Sequence, residues 1–333
     1  MLMALLFAGA CQKNETPGAV VAEEVEATLS VAIPGTLSTR AVETETVSTG
    51  AEVDIVYYEI WDATKTRKLY PKAGEGIASA VVEDNTASIT VSLVTNQIYT
   101  FIFWAQNADC GAYGVSDLTS VSVDYEVIKK KGNDDMFDAF YAVKQIEIKK
   151  SANYDPVVLR RPFSQLNFGA SIMETDLGPI VVDSTYVTVS ELSTVFKTFD
   201  GVGDVDSVVS DVRFAARGLV SATEGEKANI LSTNGQDYTW LTMDYMLMTG
   251  ESATVDVNAM FRVDGIGDVF HDIPQVSIKK NYRTNIVGDL FTADAELTLI
   301  IDPHFVMTED GEYDDVIVNA PQTTVTPDPD QNN

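Results

Sequence analysis

The sequence predicts an all-β fold, and three features of the chain support this prediction. Apolar and polar residues alternate in short stretches that recur from one end to the other, and these stretches are rich in β-branched and aromatic residues. Clusters of Gly, Asn, Asp and Pro separate them. Few segments show a helical period. Such spacing is typical of antiparallel sandwiches rather than of βαβ units.

The strand candidates fall into two groups, on either side of a segment that begins near residue 160. The first group comprises residues 25–33, 53–61, 87–93, 99–105, 120–127 and 144–150, and the second comprises 186–192, 253–263, 274–288 and 295–303. The best helical candidate is residues 190–199. We therefore expect two tandem antiparallel β-sandwich domains with few short helices.

The segment 159–172 marks the expected domain boundary. Arg160, Arg161 and Pro162 precede a strand candidate there, and proline cannot donate a hydrogen bond within a β-ladder. The expected domains are an N-terminal sandwich over residues 25–160 and a C-terminal sandwich over residues 161–310. Residues 311–333 are an acidic tail rich in Pro and Thr.

The chain opens on an apolar run, residues 1–10, which is too short to span a bilayer but has the length of a signal-peptide core. Small residues lead directly into Cys11, as in a bacterial lipobox, where the cysteine is acylated. Ala8 stands where leucine is usual, and no basic residue precedes the run, so we expect an upstream segment to be missing. There are two alternatives: an ordinary signal peptide with an incidental Cys11, and a cytosolic chain with a chance apolar start. Residues 11–24 would be a flexible tether.

Composition limits the partners and the chemistry. The chain has 50 acidic and 22 basic residues, a net charge of −28, which excludes electrostatic attraction to nucleic acid or anionic headgroups as its main function. With two cysteines, Cys11 and Cys110, it has no disulfide framework and no zinc-type spacing. A packed core has to supply its stability.

No motif points to catalysis. His271 and His304 do not have metal-ligand spacing, and no GxSxG, HExxH or P-loop pattern occurs. The acidic loops 132–138 and 200–207 lack the ligand pattern of a calcium loop. Cys110 has no basic neighbour in sequence that would lower its pKa. We expect neither an enzyme nor a bound cofactor or metal.

Four strings in order resemble the fimbrillin family, the lipoprotein-derived type V pilins, and its fimbrillin-like relatives. They are FIFWAQ (101–106), MFDAFYAV (136–143), LRRPFSQLNFGA (159–170) and NYRTNIVGDLFT (281–292). The resemblance covers residues 25–305. It implies two sandwich domains of transthyretin-like topology, export as an outer-membrane lipoprotein, and proteolysis after an Arg in the loop that follows the first strand. Removal of that strand leaves a groove that accepts a strand from another subunit.

Each part of this scheme has a counterpart in the sequence. The releasable first strand would carry one apolar face, which consists of Val25, Ala27, Leu29, Val31 and Ile33. Arg40 and Ala41 would flank the cleaved bond, because Arg40 is the only arginine before Arg67. The alternative is that Arg40 is an ordinary loop residue, since some anchor and accessory subunits are not processed.

The donor strand is implied to come from the C-terminal end. The only apolar alternation there is residues 316–320, with Val316 and Val318 on one face. This segment is short, and a disordered tail is the alternative.

The sequence thus predicts a structural subunit of a cell-surface fimbria (shaft, anchor or tip). Its partners would be other fimbrial subunits and the outer membrane, through the lipid on Cys11, and it would bind no nucleic acid. The alternative function is a monomeric surface lipoprotein that binds a glycan or a host protein through a sandwich face. A hydrolase with an unrecognised site is a third.

Overall fold

The computed structural model describes residues 23–34, 49–150, 152–175, 178–223, 227–292, 296–303 and 316–319. Within these ranges nearly all regular structure is β, which confirms the predicted fold class. The first half of the chain contains the following strands: β1 (Glu24–Ala32), β2 (Ile55–Asp62), β3 (Lys68–Tyr70), β4 (Ala78–Val81), β5 (Thr86–Val94), β6 (Gln97–Gln106), β7 (Tyr113–Gly114), β8 (Ser120–Val123), β9 (Phe140–Ile148) and β10 (Val157–Val158).

The second half continues the series. Its strands are β11 (Ser164–Ala170), β12 (Glu174–Thr175), β13 (Gly178–Pro179), β14 (Val182–Ser193), β15 (Val195–Lys197), β16 (Val202–Gly203), β17 (Val208–Arg217), β18 (Ser221–Thr223), β19 (Lys227–Ala228), β20 (Ile230–Thr233), β21 (Gln236–Met246), β22 (Ser252–Val263), β23 (Gly267–Lys279), β24 (Arg283–Gly288), β25 (Leu297–Asp302) and β26 (Val316–Asn319).

The strands form five main sheets, which we number by their first strand. Sheet I has the order β10-β1-β5, and sheet II the order β3-β2-β6-β9 with β4 also on β2. Sheet III has the order β16-β15-β8-β7. Sheet IV has the order β20-β21-β11-β24-β25-β26, and sheet V the order β17-β14-β22-β23. Most neighbouring strands are antiparallel; the parallel pairs are β1–β10 and β11–β24.

The first hydrophobic core lies between sheets I and II. Leu29 of β1 is fully buried in it, together with Phe101 and Phe103 of β6. The intervening residues Ile102 and Trp104 point to the opposite face of sheet II and belong to a second core. Because β6 is buried on both faces, its sequence is a nearly continuous apolar run.

The second core is larger and lies between sheets IV and V. The rings of Phe168 in β11 and Phe261 in β22 meet across it, with centroids 5.6 Å apart. Trp104 reaches this core from sheet II and packs against Phe196 of β15, with ring centroids 5.8 Å apart. Two sheets facing each other across such a core form a sandwich.

Sheet III joins strands from both sides of residue 160. Phe196 of β15 pairs with Val121 of β8, and both side chains are buried in the second core. Side chains between residues 102 and 141 also pack into the core formed by the second half of the chain. The domain boundary near residue 160 stays a prediction.

The predicted helix at residues 190–199 is wrong. Strands β14 and β15 occupy most of this segment, since Val195 and Phe196 favour extended backbone and find partners in β8. The α-helix of the described residues is α1 (Tyr125–Ile128). Asp124 caps it by accepting the backbone N–H of Glu126 at 2.8 Å, which ends β8 at Val123, earlier than the sequence pattern predicted.

Candidate functional site

Strand β1 lies between β5 and β10 in sheet I, and its two edges are paired very differently. On one side it is antiparallel to β5 over its whole length, from Glu24 opposite Val94 to Ala32 opposite Thr86. On the other side the pairing with β10 covers only Val31 and Ala32. Most of the second edge is therefore outside a ladder.

One face of β1 closes the first core. Ala27, Leu29 and Val31 are buried, Val25 is half-buried at the start of the strand, and Ile33 is buried just beyond its end. These are the side chains that the sequence predicts for a releasable first strand. Removing them would uncover the aromatic side chains of β6.

The opposite face of β1 is polar. Glu26 and Thr28 are exposed, and Thr28 Oγ1 lies 3.0 Å from Thr90 Oγ1 on β5. Ser92 donates to the Glu24 carboxylate at 2.9 Å. These contacts are solvent-exposed and contribute little to stability, so the apolar face holds the strand.

Gly50 lies against Ile33, just beyond the end of β1, close to where the described chain resumes at residue 49. Gly50 has φ +73°, and a Cβ atom there would lie 2.9 Å from Cγ2 of Ile33 and 3.0 Å from Phe140. Only glycine combines this backbone conformation with so close an approach. Ile33 and Gly50, which lie on either side of the predicted cleavage bond in the sequence, are thus both at the first core.

Residues Cys11, Arg40 and Ala41 lie outside the described residues. The structure describes the chain up to residue 34 and again from residue 49. Lipidation at Cys11 and cleavage between Arg40 and Ala41 stay predictions.

The segment predicted as a possible donor strand forms β26. It is antiparallel to β25, with Val316 opposite Ile301 and Val318 opposite Leu299, at the end of sheet IV. It has four residues, whereas β1 has nine. Within the same chain, therefore, the segment already has a partner, and it would have to leave β25 to act in another subunit.

Two potentially reactive side chains, Cys110 and His271, are both buried in the protein. Burial raises the pKa of the Cys110 thiol, so the thiol is protonated and unreactive at neutral pH. His271 is buried, and burial lowers its pKa; its Nε2 lies 2.8 Å from the carbonyl oxygen of Leu290. His304 lies outside the described residues. Within the described ranges, no group of three or more His, Cys, Asp or Glu side chains could hold a metal ion.

The acidic loop 132–138 supports the fold. Asp134 caps a short 3₁₀-helix, and Asp135 accepts a hydrogen bond from the Tyr245 hydroxyl at 2.7 Å. Asp138 forms a buried ion pair with Arg161, in which Nε and Nη2 of the arginine lie 2.6–3.0 Å from the carboxylate oxygens. Sequence reasoning did not find this pair, because its members are far apart in the chain.

Two further features were not found from the sequence. On the outer face of sheet V, Arg262 of β22 donates two hydrogen bonds to the Asp268 carboxylate of β23, at 2.8 and 2.9 Å. Asp244 is buried in sheet IV, and burial raises its pKa to about 8. The signal for Asp244 was present: it is a lone acid in the apolar string LTMDYMLM (241–248).

Within the described part of the chain, no helix has the length and apolar character needed to cross a bilayer.

Comparisons with known proteins give one family and several solved structures. The search of curated proteins finds no match. The tip fimbrial protein Mfa3 from Porphyromonas gingivalis is 8% identical and covers 84% of this chain and 99% of its own, with a TM-score of 0.43. A fimbrial assembly protein from Parabacteroides distasonis is 11% identical and covers 89% and 100%, with a TM-score of 0.42.

A third structure, described as a candidate cell-adhesion protein from Bacteroides uniformis, is 12% identical and covers 83% of this chain and 98% of its own, with a TM-score of 0.49. The first two structures are described as fimbrial proteins and the third as a cell-adhesion protein. A family model described as a family of unknown function, DUF6562, matches residues 17–325. The match spans nearly the whole sequence, and the chain therefore belongs to the DUF6562 family.

Proposed function

We propose that this protein is a structural subunit of a cell-surface fimbria and that it joins other subunits by exchange of its first strand. In this proposal the chain is exported as a lipoprotein, attached to the outer membrane through Cys11, and cut between Arg40 and Ala41. The observation that carries the proposal is the position of β1, which fills one core with its apolar face and has a full ladder along only one edge.

The energetics of β1 favour replacement over simple loss. Each fully buried apolar side chain contributes about 1.5–3 kcal/mol, so the apolar face of β1 contributes on the order of 10 kcal/mol before association costs. After cleavage the strand would therefore remain in place until a competing strand displaces it. The acidic surface opposes non-specific association, so joining would depend on the fit of the incoming strand.

The C-terminal segment is the proposed donor. It pairs with a single strand, β25, so its departure breaks one short ladder. An incoming strand with alternating side chains would repair both the open backbone edge of β5 and the apolar groove. Its neighbours in the sequence would have to extend the contact, because β26 is shorter than β1.

The test is limited proteolysis of the purified full chain with a trypsin-like protease. We expect a first cut between Arg40 and Ala41, identified by N-terminal sequencing, followed by ladders of oligomers on a non-reducing gel. An Arg40→Gln variant should resist the cut and stay monomeric. Arg67→Gln is the matched control, because Arg67 is exposed on the same half of the chain and its loss should leave both steps unchanged.

Two outcomes would contradict the proposal. The first is complete cleavage at Arg40 with the product still monomeric, which would favour a monomeric binding lipoprotein. The second is oligomerisation of the Arg40→Gln variant to the same extent as wild type. Removing residues 316–319 then tests the donor separately: cleavage should continue and ladders should disappear.

Lipid attachment has its own measurement. Palmitate labelling of cells that express the full chain should give a labelled protein in the outer-membrane fraction, and a Cys11→Ala variant should be unlabelled. Equal labelling of the two proteins would eliminate Cys11 as the anchor.

A further inference from the structure

The outer edge of β1, on the side of β10, carries backbone groups that the fold leaves without partners. Toward β5, Ile33 donates its N–H group to the Asn85 carbonyl at 2.9 Å. Toward β10, Leu159 donates its N–H group to the Ala32 carbonyl at 3.0 Å. Backbone groups alternate in direction along a strand, so odd-numbered residues of β1 bond to β5 and even-numbered residues point outwards. Within the described ranges, no hydrogen bond reaches the outward N–H and C=O groups of Thr28.

The segment that precedes β10, residues 152–156, runs beside this edge without forming a ladder with it. The segment and β1 line a common hollow of about 420 Å³. Before the segment, Lys150 and Glu23 form an ion pair at 2.7 Å, and after it Val157 pairs with Val31. Continued backwards, this register places Lys150 opposite the residue that follows Glu23, so a longer ladder would need no bulge.

A ladder continued in this register would give the outward groups of β1 partners. In a parallel pair, a bonded residue donates its N–H group to one residue of the partner strand and accepts from the residue two positions further on. Asn153 would donate to Glu26 and accept from Thr28. Asp155 would donate to Thr28 and accept from Ser30. The unpaired groups of β1 therefore have the right spacing to bond to this segment.

Pro156 does not explain why the ladder stops. Proline lacks an N–H group, but in the register of β10 the backbone nitrogen of residue 156 points away from β1. β10 is an edge strand, and proline is tolerated there on the solvent side. Asp155 precedes the proline, which itself favours extended backbone. The backbone of the segment is thus compatible with a strand.

The side chains of Asn153 and Asp155 oppose this ladder. Val157 is buried in the first core, beside Val31. Side chains alternate along a strand, so residues 153 and 155 would face the same core. Asp155 would then lie beside Leu29, which is fully buried, whereas both polar residues are exposed in the structure. Burying an unpaired carboxylate or amide costs more than the added hydrogen bonds contribute.

Tyr154 stabilises the open arrangement. Its ring is half-buried and packs against the first core, and its hydroxyl accepts the backbone N–H group of Lys149 at 3.0 Å. In a continued ladder, Tyr154 would turn to the polar face of sheet I, beside Thr28, and would lose this packing.

We propose that Asn153 and Asp155 keep the outer edge of β1 unpaired, so that one full ladder holds β1 in sheet I. Polar residues at two core-facing positions end β10 at its two valines. Cleavage then leaves a strand that separates by breaking the ladder with β5 and one short contact with β10. This consequence for release rests on the proposed function, whereas the open edge itself does not.

The test of the open edge is amide hydrogen exchange of the uncut full chain, resolved by residue. In wild type, the outward amides of Thr28 and Ser30 should exchange at least about 100-fold faster than the amide of Leu29, which bonds to β5. An Asn153→Val/Asp155→Val variant should slow exchange at Thr28 and Ser30 at least about tenfold, because apolar side chains let the ladder extend.

Two control variants separate the causes. Asn153→Thr/Asp155→Thr supplies the same β-branched shape as valine but keeps a polar group, so Thr28 and Ser30 should exchange within about threefold of wild type. Pro156→Ala restores a backbone N–H group that points away from β1, and it should also leave both amides within about threefold of wild type. Thermal unfolding of each variant verifies that it is folded.

The effect on release is measured in chain cut after Arg40, as the rate of uptake of a labelled peptide with the sequence of residues 24–33. Because the bound strand has to leave first, a second ladder slows uptake. Asn153→Val/Asp155→Val should take up the peptide at least about 100-fold more slowly than wild type. Asn153→Thr/Asp155→Thr should remain within about threefold of wild type.

Four results would overturn the proposal. They are slow exchange at Thr28 and Ser30 in wild type, no change in their exchange in a folded Asn153→Val/Asp155→Val variant, protection of the same amides by Pro156→Ala alone, and protection without slower release of β1. If cut wild type takes up no peptide, strand exchange itself fails, and the amide measurements on uncut chain still decide whether these two residues keep the edge open.

Discussion

Replacing Arg161 by methionine is expected to lower the free energy of unfolding by about 3–5 kcal/mol, the usual cost of breaking a buried ion pair by removing one partner. The side chains of Arg161 and Asp138 are 4% and 0% exposed, and they are joined by three short hydrogen bonds. The guanidinium also lies over the ring of Phe140, 4.5 Å from its centroid. Methionine preserves most of the volume but leaves the Asp138 carboxylate without its cation.

Arg161 connects the two halves of the chain, so its replacement should destabilise both cores. Its backbone N–H donates to Asn281 in the second half of the chain at 3.1 Å, while its side chain contacts Asp138 in the first half. Chemical denaturation gives the measurement. Arg160→Met is the matched control: Arg160 is the exposed neighbour that lies over Tyr141, and its loss should cost about 0.5–1 kcal/mol. Equal losses for the two variants would contradict a structural role for the buried pair.

Replacing Asp244 by asparagine is expected to stabilise the protein increasingly as pH rises from about 4 to about 8, and to remove a pH dependence. Burial raises the pKa of Asp244 from 3.8 to about 8. Between about pH 4 and pH 8 the folded state therefore holds one proton more than the unfolded state. The stability of the wild type falls as pH rises through this window, by up to about 1.4 kcal/mol per pH unit, and is flat on either side.

Denaturation of wild type and the Asp244→Asn variant from pH 4 to pH 9 tests this expectation. The difference in the free energy of unfolding should be smallest near pH 4 and grow to several kcal/mol by pH 8. Asp237→Asn is the matched control, since Asp237 is exposed on the same strand β21. A constant difference between wild type and Asp244→Asn across the range would show that Asp244 is ionised in the folded protein.

The strands were predictable because alternation is a local property. The pattern at residues 25–33 predicts a strand, and β1 spans Glu24–Ala32. The pattern at 120–127 predicts a longer strand than β8, because the Asp124 cap of α1 depends on a single side-chain hydrogen bond that periodicity does not register. At residues 190–199 an apparent helical period was overridden by pairing with β8, a partner distant in sequence.

The pairing of the four resemblance strings was not predictable from their composition. FIFWAQ and the end of MFDAFYAV become neighbouring strands, with Trp104 opposite Tyr141. LRRPFSQLNFGA and NYRTNIVGDLFT also become neighbours, as the parallel pair β11 and β24, and Asn167 donates to Asn285 at 2.8 Å between them. Each string, taken by itself, predicts a strand. The side-chain amides that link the second pair can form a hydrogen bond only because the fold places their strands side by side.

The parts of the candidate site that escaped prediction depend on tertiary structure. The ion pair between Arg262 and Asp268 depends on the register of β22 and β23, which places the two residues opposite each other. The edge pairing of β1 likewise depends on β10, whose two valines are too short a stretch to predict a strand.

The most direct test of strand exchange is the uptake of a labelled peptide with the sequence of residues 24–33 by the protein. Chain cut after Arg40 should incorporate the peptide in a one-to-one ratio, measured by fluorescence anisotropy or native mass spectrometry. Uncut chain, and a peptide carrying Leu29→Asp, should show no uptake, because the first is closed covalently and the second cannot fill the core. No uptake after complete cleavage, or equal uptake by the uncut chain, would contradict the claim that β1 occupies an exchangeable groove.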